Sequence, residues 1–529
     1  MKNAYKVIRF AIAAIALQVS FAVCPPTAAA VATCAFADAN LVPMPQKMSA
    51  GEGFFSSKED AYAVAVSRST DASVPKEGYV LSVTPGGIAV KSSDDAGAFY
   101  ARQTLLQLAE RSGDGWRYPC VEIQDYPAFA WRGVLLDESR HFFGKETVRR
   151  VLDLMARYKL NVFHWHLIDD QGWRLDVPAY PLLAKCGSMR RRSPEHGAAF
   201  HEDKKNLVFG SASLTTERYG PFFYTADDVR EILAYAKERH ITVVPEVEMP
   251  GHALAALGAY PEFACFPEHI DAGAAAPDWG TFPDVFCLGS DATLKFLDDV
   301  LDYVCELFPS QVIHLGGDEC PYVNWEKCPR CRARMKSAGI EKASGLQPWL
   351  TRRMAERLAK KGRRVMGWDE ILNGDVPKSA IGHSWRTSSE HGTGTESLVS
   401  GATGAERGHD MVMSPCALTY YSNRQGLRED PFLRGWGTDI PLELAYTFNP
   451  LDGVPERLRK HILGGQCCIW SEYVWNCYDL AWRLWPRGFA IAEVLWTAPA
   501  KRDFAEFERR AAIERARLIK MGINCAPMK

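Results

Sequence analysis

The chain has 529 residues, 47% hydrophobic and 24% charged, which is ordinary globular composition with length enough for one large domain beside a smaller one. Its 62 basic and 64 acidic residues leave a net charge of -2, which excludes the basic footprint of a nucleic-acid binder and favours a small neutral ligand. The 15 Trp, 19 Tyr and 25 Phe offer flat apolar faces that suit stacking on pyranose rings, although most of them are expected in the core.

The N-terminus carries Lys2, Lys6 and Arg9, an apolar run over residues 10–23 and the small-residue triplet Ala35-Phe36-Ala37. This is the pattern of a signal peptide over residues 1–37, and it implies a secreted or periplasmic protein. Cys24 offers a lipoprotein alternative, but Val23 precedes it where a small residue is wanted. The run is also shorter than the ~20 residues of a membrane span.

Residues 38–126 read as a small α+β N-terminal domain: alternating strands such as "YVLSVTPGGIAVKS", turned at Pro-Gly-Gly, precede the helical run "AGAFYARQTLLQLAE". Pro127 marks a boundary, and from 127 to 520 strands alternate with long helices. Eight strand candidates follow: "WRGVLLD", "NVFHWHL", "TVVPEVEM", "QVIHLGG", "RRVMGWDE", "AIGHSW", "DMVMSP" and "ILGGQCCIW". Between them, "KETVRRVLDLMARYKL" carries Val148, Val151, Leu152 and Met155 on one face, and "TADDVREILAYAKERH" opens on a Thr225/Asp228 capping pair. The pattern is that of an α/β chain folded as a (β/α)8 TIM barrel with long insertions; a doubly wound sheet is the alternative.

In a barrel of this kind, chemistry sits where strands end. Polar and aromatic residues fall there: Asp137 and Arg140 after the first strand, Asp169 and Asp170 after the second, Glu248 and His252 after the third, and Asp318 and Glu319 after the fourth. Trp368 follows at the fifth, Trp385 at the sixth, Tyr420 beyond the seventh, and Trp470 with Glu472 at the eighth.

After the leader, thirteen cysteines remain, an odd number that argues against a fully paired disulfide framework. Cys320, Cys328 and Cys331 fall within twelve residues and include the knuckle-like "CPRC". They read as free thiols, as a disulfide, or as three ligands of a structural zinc whose fourth ligand is not evident.

The strings "RGVLLDESRHF", "NVFHWHLIDDQGW", "PEVEMPGH", "HLGGDEC", "GWDEI" and "WSEYVW", in this order, together with "RLWPRGFAIAEVLW" near the end, resemble glycoside hydrolase family 20, the β-N-acetylhexosaminidases, over residues 40–520. The resemblance implies a retaining exo-hydrolase of terminal β-linked GlcNAc or GalNAc, needing no cofactor, with a glycan or glycoconjugate as its partner and no nucleic acid. Release of a disaccharide, as some members perform, is the alternative within the family, and no oligomeric state is implied.

Most retaining glycosidases hold two carboxyl groups ~5–5.5 Å apart on opposite faces of the sugar, whereas family 20 is substrate-assisted. Adjacent Asp318 and Glu319, with Cα atoms ~3.8 Å apart, are poorly placed for the two-carboxylate scheme. By resemblance Glu319 is the general acid and then base, Asp318 orients the substrate's 2-acetamido group, and Tyr420 aims its oxygen; neighbouring Tyr421 competes for that last role. Arg140 and Glu472 would bind sugar hydroxyls, and Trp368, Trp385 and Trp470 would box the N-acetyl group. Asp169, Asp170, His252 and Glu248 resemble the surrounding residues that hold Glu319, Glu248 standing where Asp is expected in many relatives. Two rivals from other classes are a metal hydrolase using His164, His166 and His252, and a sugar-binding protein without turnover. His314 is read either as a core residue or as support for the site.

Overall fold

The computed structural model describes residues 40–194, 208–209, 214–215, 217–386, 401–427 and 437–529. The expected leader over 1–37 lies outside them. Among the described residues no helix is long and apolar enough to cross a membrane.

The N-terminal part is a six-stranded sheet with one helix. Lys47–Ser57 and Gly115–Asp125 run antiparallel, and the Tyr79–Thr84/Gly87–Ser92 hairpin turns at the expected Pro-Gly step. Alternation along Tyr79–Thr84 puts Tyr79, Leu81 and Val83 inside, against helix Asp95–Leu108, whose first turn is capped by the Asp94 carboxylate accepting from Gly97 N.

Eight parallel strands then close into a barrel in chain order. They are β1 (Trp131–Asp137), β2 (Val162–His166), β3 (Thr242–Glu246), β4 (Val312–His314), β5 (Arg364–Trp368), β6 (Ile381–Ser384), β7 (Asp410–Met413) and β8 (Ile462–Ile469). Each falls within one of the eight runs expected from sequence. Helix Lys145–Arg157 buries Val148, Val151, Leu152 and Met155 as expected, and helix Ala226–Lys237 starts with the reciprocal Thr225/Asp228 capping box. Helix Leu346–Lys360 ends just before Gly362, whose φ of 69° only glycine adopts readily.

The barrel interior changes character along its axis. Trp131, Val162, Val244, Met366, Ile381 and Val412 make an apolar plug at the end where the strands begin. Above it lies a polar layer centred on Glu246, which meets His166 Nδ1 at 2.6 Å, His314 Nδ1 at 2.8 Å, His164 Nε2 at 3.0 Å and Trp368 Nε1 at 2.9 Å. Burial would raise this carboxyl, yet the three histidines hold it well below the usual range. A carboxylate with four partners is satisfied there, and it fixes the floor on which the mouth is built.

Candidate active site

β4 ends in a sharp turn. Gly316 and Gly317 take φ values of 62° and 92°, and Glu319 itself sits at 47°. A left-handed glutamate is strained, and such strain persists only where surrounding contacts hold it. A Cβ on Gly316 would land on the Glu248 carboxyl, so the glycine makes room for the longer acid that replaces the expected Asp. Glu248 Oε2 accepts from Gly317 N at 3.2 Å, and burial, with Asp318 and Glu246 nearby, pushes its carboxyl well above the usual range. Glu248 therefore braces the turn from surroundings that disfavour its ionisation.

Asp318 and Glu319 leave this turn into different surroundings. Glu319 keeps a third of its side chain exposed, at 34%, and its Oε2 accepts from Thr281 Oγ1 at 2.9 Å. Asp318 is largely covered, and burial, opposed by His252 but reinforced by Glu319, lifts its carboxyl to about 6. Its Oδ1 is buried and has no hydrogen-bond partner among the described residues. A buried acceptor left in that state costs about 1–3 kcal/mol, unless a ligand donates to it.

A relay of charges backs the pair. His252, also at positive φ (46°), places Nε2 3.7 Å from Asp318 Oδ2 and 3.8 Å from Glu319 Oε2. Its Nδ1 meets Asp170 Oδ2 at 2.9 Å and Asp169 Oδ1 at 3.1 Å. Burial alone would discharge this imidazole, but Asp169 and Asp318 hold its pKa well above the ordinary value, which favours the charged form. Asp169 also receives Arg140 Nη2 at 2.6 Å; although burial opposes it, Arg140 and His252 keep this carboxyl ionised. Arg140 reaches Glu472 at 4.0 Å, donates to Gln171 Oε1 at 2.9 Å, and lies over Trp470 with its guanidinium carbon 5.3 Å from the ring centre.

The opposite wall is aromatic. Trp385 stacks parallel to Tyr420 at 6.2 Å, Trp470 stands edge-on to Tyr420 at 5.9 Å, and Trp368 closes the base against Trp470 at 5.7 Å. Trp385 Nε1 donates to Glu370 Oε2 at 3.1 Å, which fixes its ring plane. Tyr421 points the other way, fully buried in the core with the Arg487 guanidinium over its ring, so Tyr420 is the tyrosine at the mouth. Arg487 also donates to the carbonyls of Tyr421 (2.6 Å) and Asn423 (3.0 Å), tying down the loop that carries Tyr420.

The family model for the catalytic domain of glycosyl hydrolase family 20 matches residues 129–499, and that for its domain 2 matches residues 56–126. The chain belongs to glycosyl hydrolase family 20. Beta-hexosaminidase from Porphyromonas gingivalis is 38% identical over 473 residues, 87% of this chain and 56% of that protein. The chain thus spans little more than half the length of that relative. Beta-hexosaminidase from Akkermansia muciniphila is 33% identical over 84% of both chains. Among solved structures, the GH20 exo beta-N-acetylglucosaminidase from Vibrio harveyi, in complex with N-acetylglucosamine, superposes with a TM-score of 0.80 at 29% identity, covering 92% of this chain and 78% of its own. The Bacteroides fragilis beta-N-acetylhexosaminidase gives 0.76 at 30% identity, covering 92% and 97%.

On this family 20 barrel, the twelve residues expected at the mouth from Arg140 to Glu472 gather around one opening, joined by the contacts above. His314, His164 and His166 lie beneath, within the polar layer. The cysteine expectation needs correction. Cys328 and Cys331 do cluster, but with Cys265 and Cys287, and Cys320 is not in the group. Cys320 follows Glu319 directly and packs against Gly251, whereas the long loop after β3 returns to bring the other two thiols to the "CPRC" turn. Thr281, Gln171, Glu246 and Arg487 are the contributors that sequence reasoning missed. Nothing local singles out Thr281, a loop residue 38 positions from the acid it touches; Arg487 lies in "RLWPRGFAIAEVLW", where a buried arginine in an apolar helix was the available signal.

Proposed function

We propose that this chain is a secreted or periplasmic, retaining exo-β-N-acetylhexosaminidase that removes terminal β-linked GlcNAc or GalNAc by substrate-assisted catalysis. The observation that carries the reading is the buried, unpartnered Asp318 Oδ1, whose carboxyl is near enough to Tyr420 to act on it electrostatically, Tyr420 in turn packing against Trp385 and Trp470. A 2-acetamido group has what that site lacks: an N–H for Asp318, a methyl for the indoles and a carbonyl oxygen for the Tyr420 hydroxyl.

In the first step the acetamido oxygen attacks C1 while the glycosidic bond breaks and Glu319 passes its proton to the leaving oxygen. The resulting oxazolinium carries positive charge on the nitrogen that Asp318 faces, and a carboxylate stabilises it. In the second step water attacks C1, Glu319 takes back a proton, and the acetamide is restored with the β configuration retained. Intramolecular attack benefits from geometry set before the reaction. Arg140 and Glu472, at the edge of the aromatic wall where the Arg140 guanidinium lies over Trp470, receive the sugar's outer hydroxyls.

The deciding experiment compares two aryl glycosides with the same leaving group. The N-acetyl-β-glucosaminide should turn over, the β-glucoside should be almost inert, and a thiazoline mimic of the cyclic intermediate should inhibit strongly. Trapping of a glycosyl ester on any carboxylate by a 2-fluoro sugar would overturn the mechanism, because a protein nucleophile would then exist. Export is tested separately, by the N-terminal sequence of the mature protein.

A further inference from the structure

We propose that Cys265, Cys287, Cys328 and Cys331 bind one zinc ion in a tetrahedral, purely structural site that joins the loops following β3 and β4.

The four sulfurs lie within 4.8 Å of one another and all four residues are buried. The nearest separations are 3.6 Å (Cys265–Cys331), 3.7 Å (Cys287–Cys331) and 3.8 Å (Cys287–Cys328). Sulfurs each ~2.3 Å from a central zinc at tetrahedral angles stand ~3.8 Å apart, which matches. Disulfides need sulfurs ~2.05 Å apart and would divide the four into pairs. Here Cys331 is equally near Cys265 and Cys287, and Cys287 equally near Cys328 and Cys331, so no pairing is favoured. Four soft thiolates in a tetrahedron select zinc or iron among common metals, and the redox-inert ion suits a buried brace.

The surroundings are built for such a site. Cys328 caps helix Pro329–Ser337 and Cys331 lies in its first turn, so the two thiols of "CPRC" converge from a helix start. Cys265 and Cys287 each follow a residue of the antiparallel bridge between Ala264 and Phe286, which makes them diagonal neighbours across it. Gly289 N–H reaches the Cys287 sulfur, and a Cβ on Gly289 would land on the Arg330–Cys331 peptide, so close backbone approach here requires glycine. The Arg330 guanidinium hydrogen-bonds Cys328 and donates to Ala264 O at 2.8 Å, supplying positive charge next to a centre that would carry −2. Such outer partners hold metal ligands in place.

The consequence for the active site is mechanical. Cys265 and Cys287 bracket the stretch that holds Thr281, the donor to Glu319, while Cys328 and Cys331 lie on the segment that leaves Glu319. A metal at the cysteines thus pins together the two loops whose ends meet at the proposed acid. It contacts no substrate-facing group, and its role is positional.

The test uses the whole chain purified without chelators. Elemental analysis should find about one zinc per chain, and X-ray absorption at the zinc edge should show four sulfurs at ~2.3 Å. Cys328→Ser with Cys331→Ser should lose the zinc, while Cys120→Ser, a buried thiol outside the cluster, should keep it. Because the double variant risks misfolding, the unaltered protein supplies an independent readout: unfolding in denaturant should release one zinc to a colorimetric chelator, after which Cys265, Cys287, Cys328 and Cys331 should all be alkylated along with the other buried thiols. Brief chelation of the folded protein should leave turnover intact while lowering the melting temperature. Iron in place of zinc, a mass four units low from two disulfides, or Cys265, Cys287, Cys328 and Cys331 all reduced with no metal released would each overturn the proposal.

Discussion

Asp318, to which the proposed mechanism gives a stabilising part in the reaction, is destabilising for the fold at neutral pH. Its pKa of about 6, raised by burial and by Glu319, means that the folded protein binds its proton more tightly than the unfolded chain does. Below the ordinary value of 3.8 the group is neutral in both states and costs nothing. As pH rises towards 6 the unfolded chain ionises first, so folding stability falls, and above 6 the full penalty applies. Asp318→Asn should therefore raise stability at pH 8 by about 1–3 kcal/mol, with little change at pH 4, measured by chemical denaturation at both values. On the proposed mechanism the same substitution should lower kcat by ~10²–10³-fold, even with good leaving groups, because Asp318 would act on the acetamido group and not on the departing oxygen. In the unaltered enzyme the acid limb of the rate profile should fall near pH 6, as Asp318 takes up a proton.

At the level of elements, the turn after β4 and the loop after β3 form one mechanical unit, since the Glu248 carboxyl occupies the space that Gly316 leaves open. Gly316→Ala combines a left-handed φ with a collision, and should cost about 2–4 kcal/mol in urea unfolding. Glu248→Asp withdraws the carboxyl by one methylene, so the alanine should be less costly in that background. A double-mutant cycle that came out additive would show the two sites to be independent. The elements themselves were legible because their signals are local. Val148, Val151, Leu152 and Met155 sit at helical spacing, Thr225 and Asp228 at capping-box spacing, and each barrel strand is a short apolar run between turns. The regular strands end at Glu246 and His314, yet backbone pairing runs on along "TVVPEVEM" and "QVIHLGG": Val247 N and Met249 N donate to His314 O and Leu315 O, and Leu315 N to Met366 O.

Over the whole molecule, the two parts meet at a charged seam. Asp125, the last residue of its strand, accepts from Lys159 Nζ at 2.8 Å, Tyr79 OH at 2.7 Å and Trp496 Nε1 at 2.8 Å, all buried. Burial pulls the Lys159 ammonium down and Asp125 restores part of the loss. Lys159→Met should cost about 3–5 kcal/mol by leaving the buried Asp125 charge without its cation, and adding Asp125→Leu should recover much of that; the unaltered chain should melt in one calorimetric transition. The sequence by itself determined the barrel, the small domain before it and the family, because periodicity, caps and strand-end motifs are short-range features that survive without neighbours. It also placed Asp318, Glu319 and the tryptophans at the mouth, since every β-strand of a barrel delivers its last residues to the same end. Only the tertiary structure decided that Tyr420 and not Tyr421 faces that mouth, that Thr281 touches Glu319, and that Cys265 and Cys287 displace Cys320 from the thiol cluster. Each of these depends on where a long loop returns, and the path of a loop is set by what it packs against, which is far away in sequence.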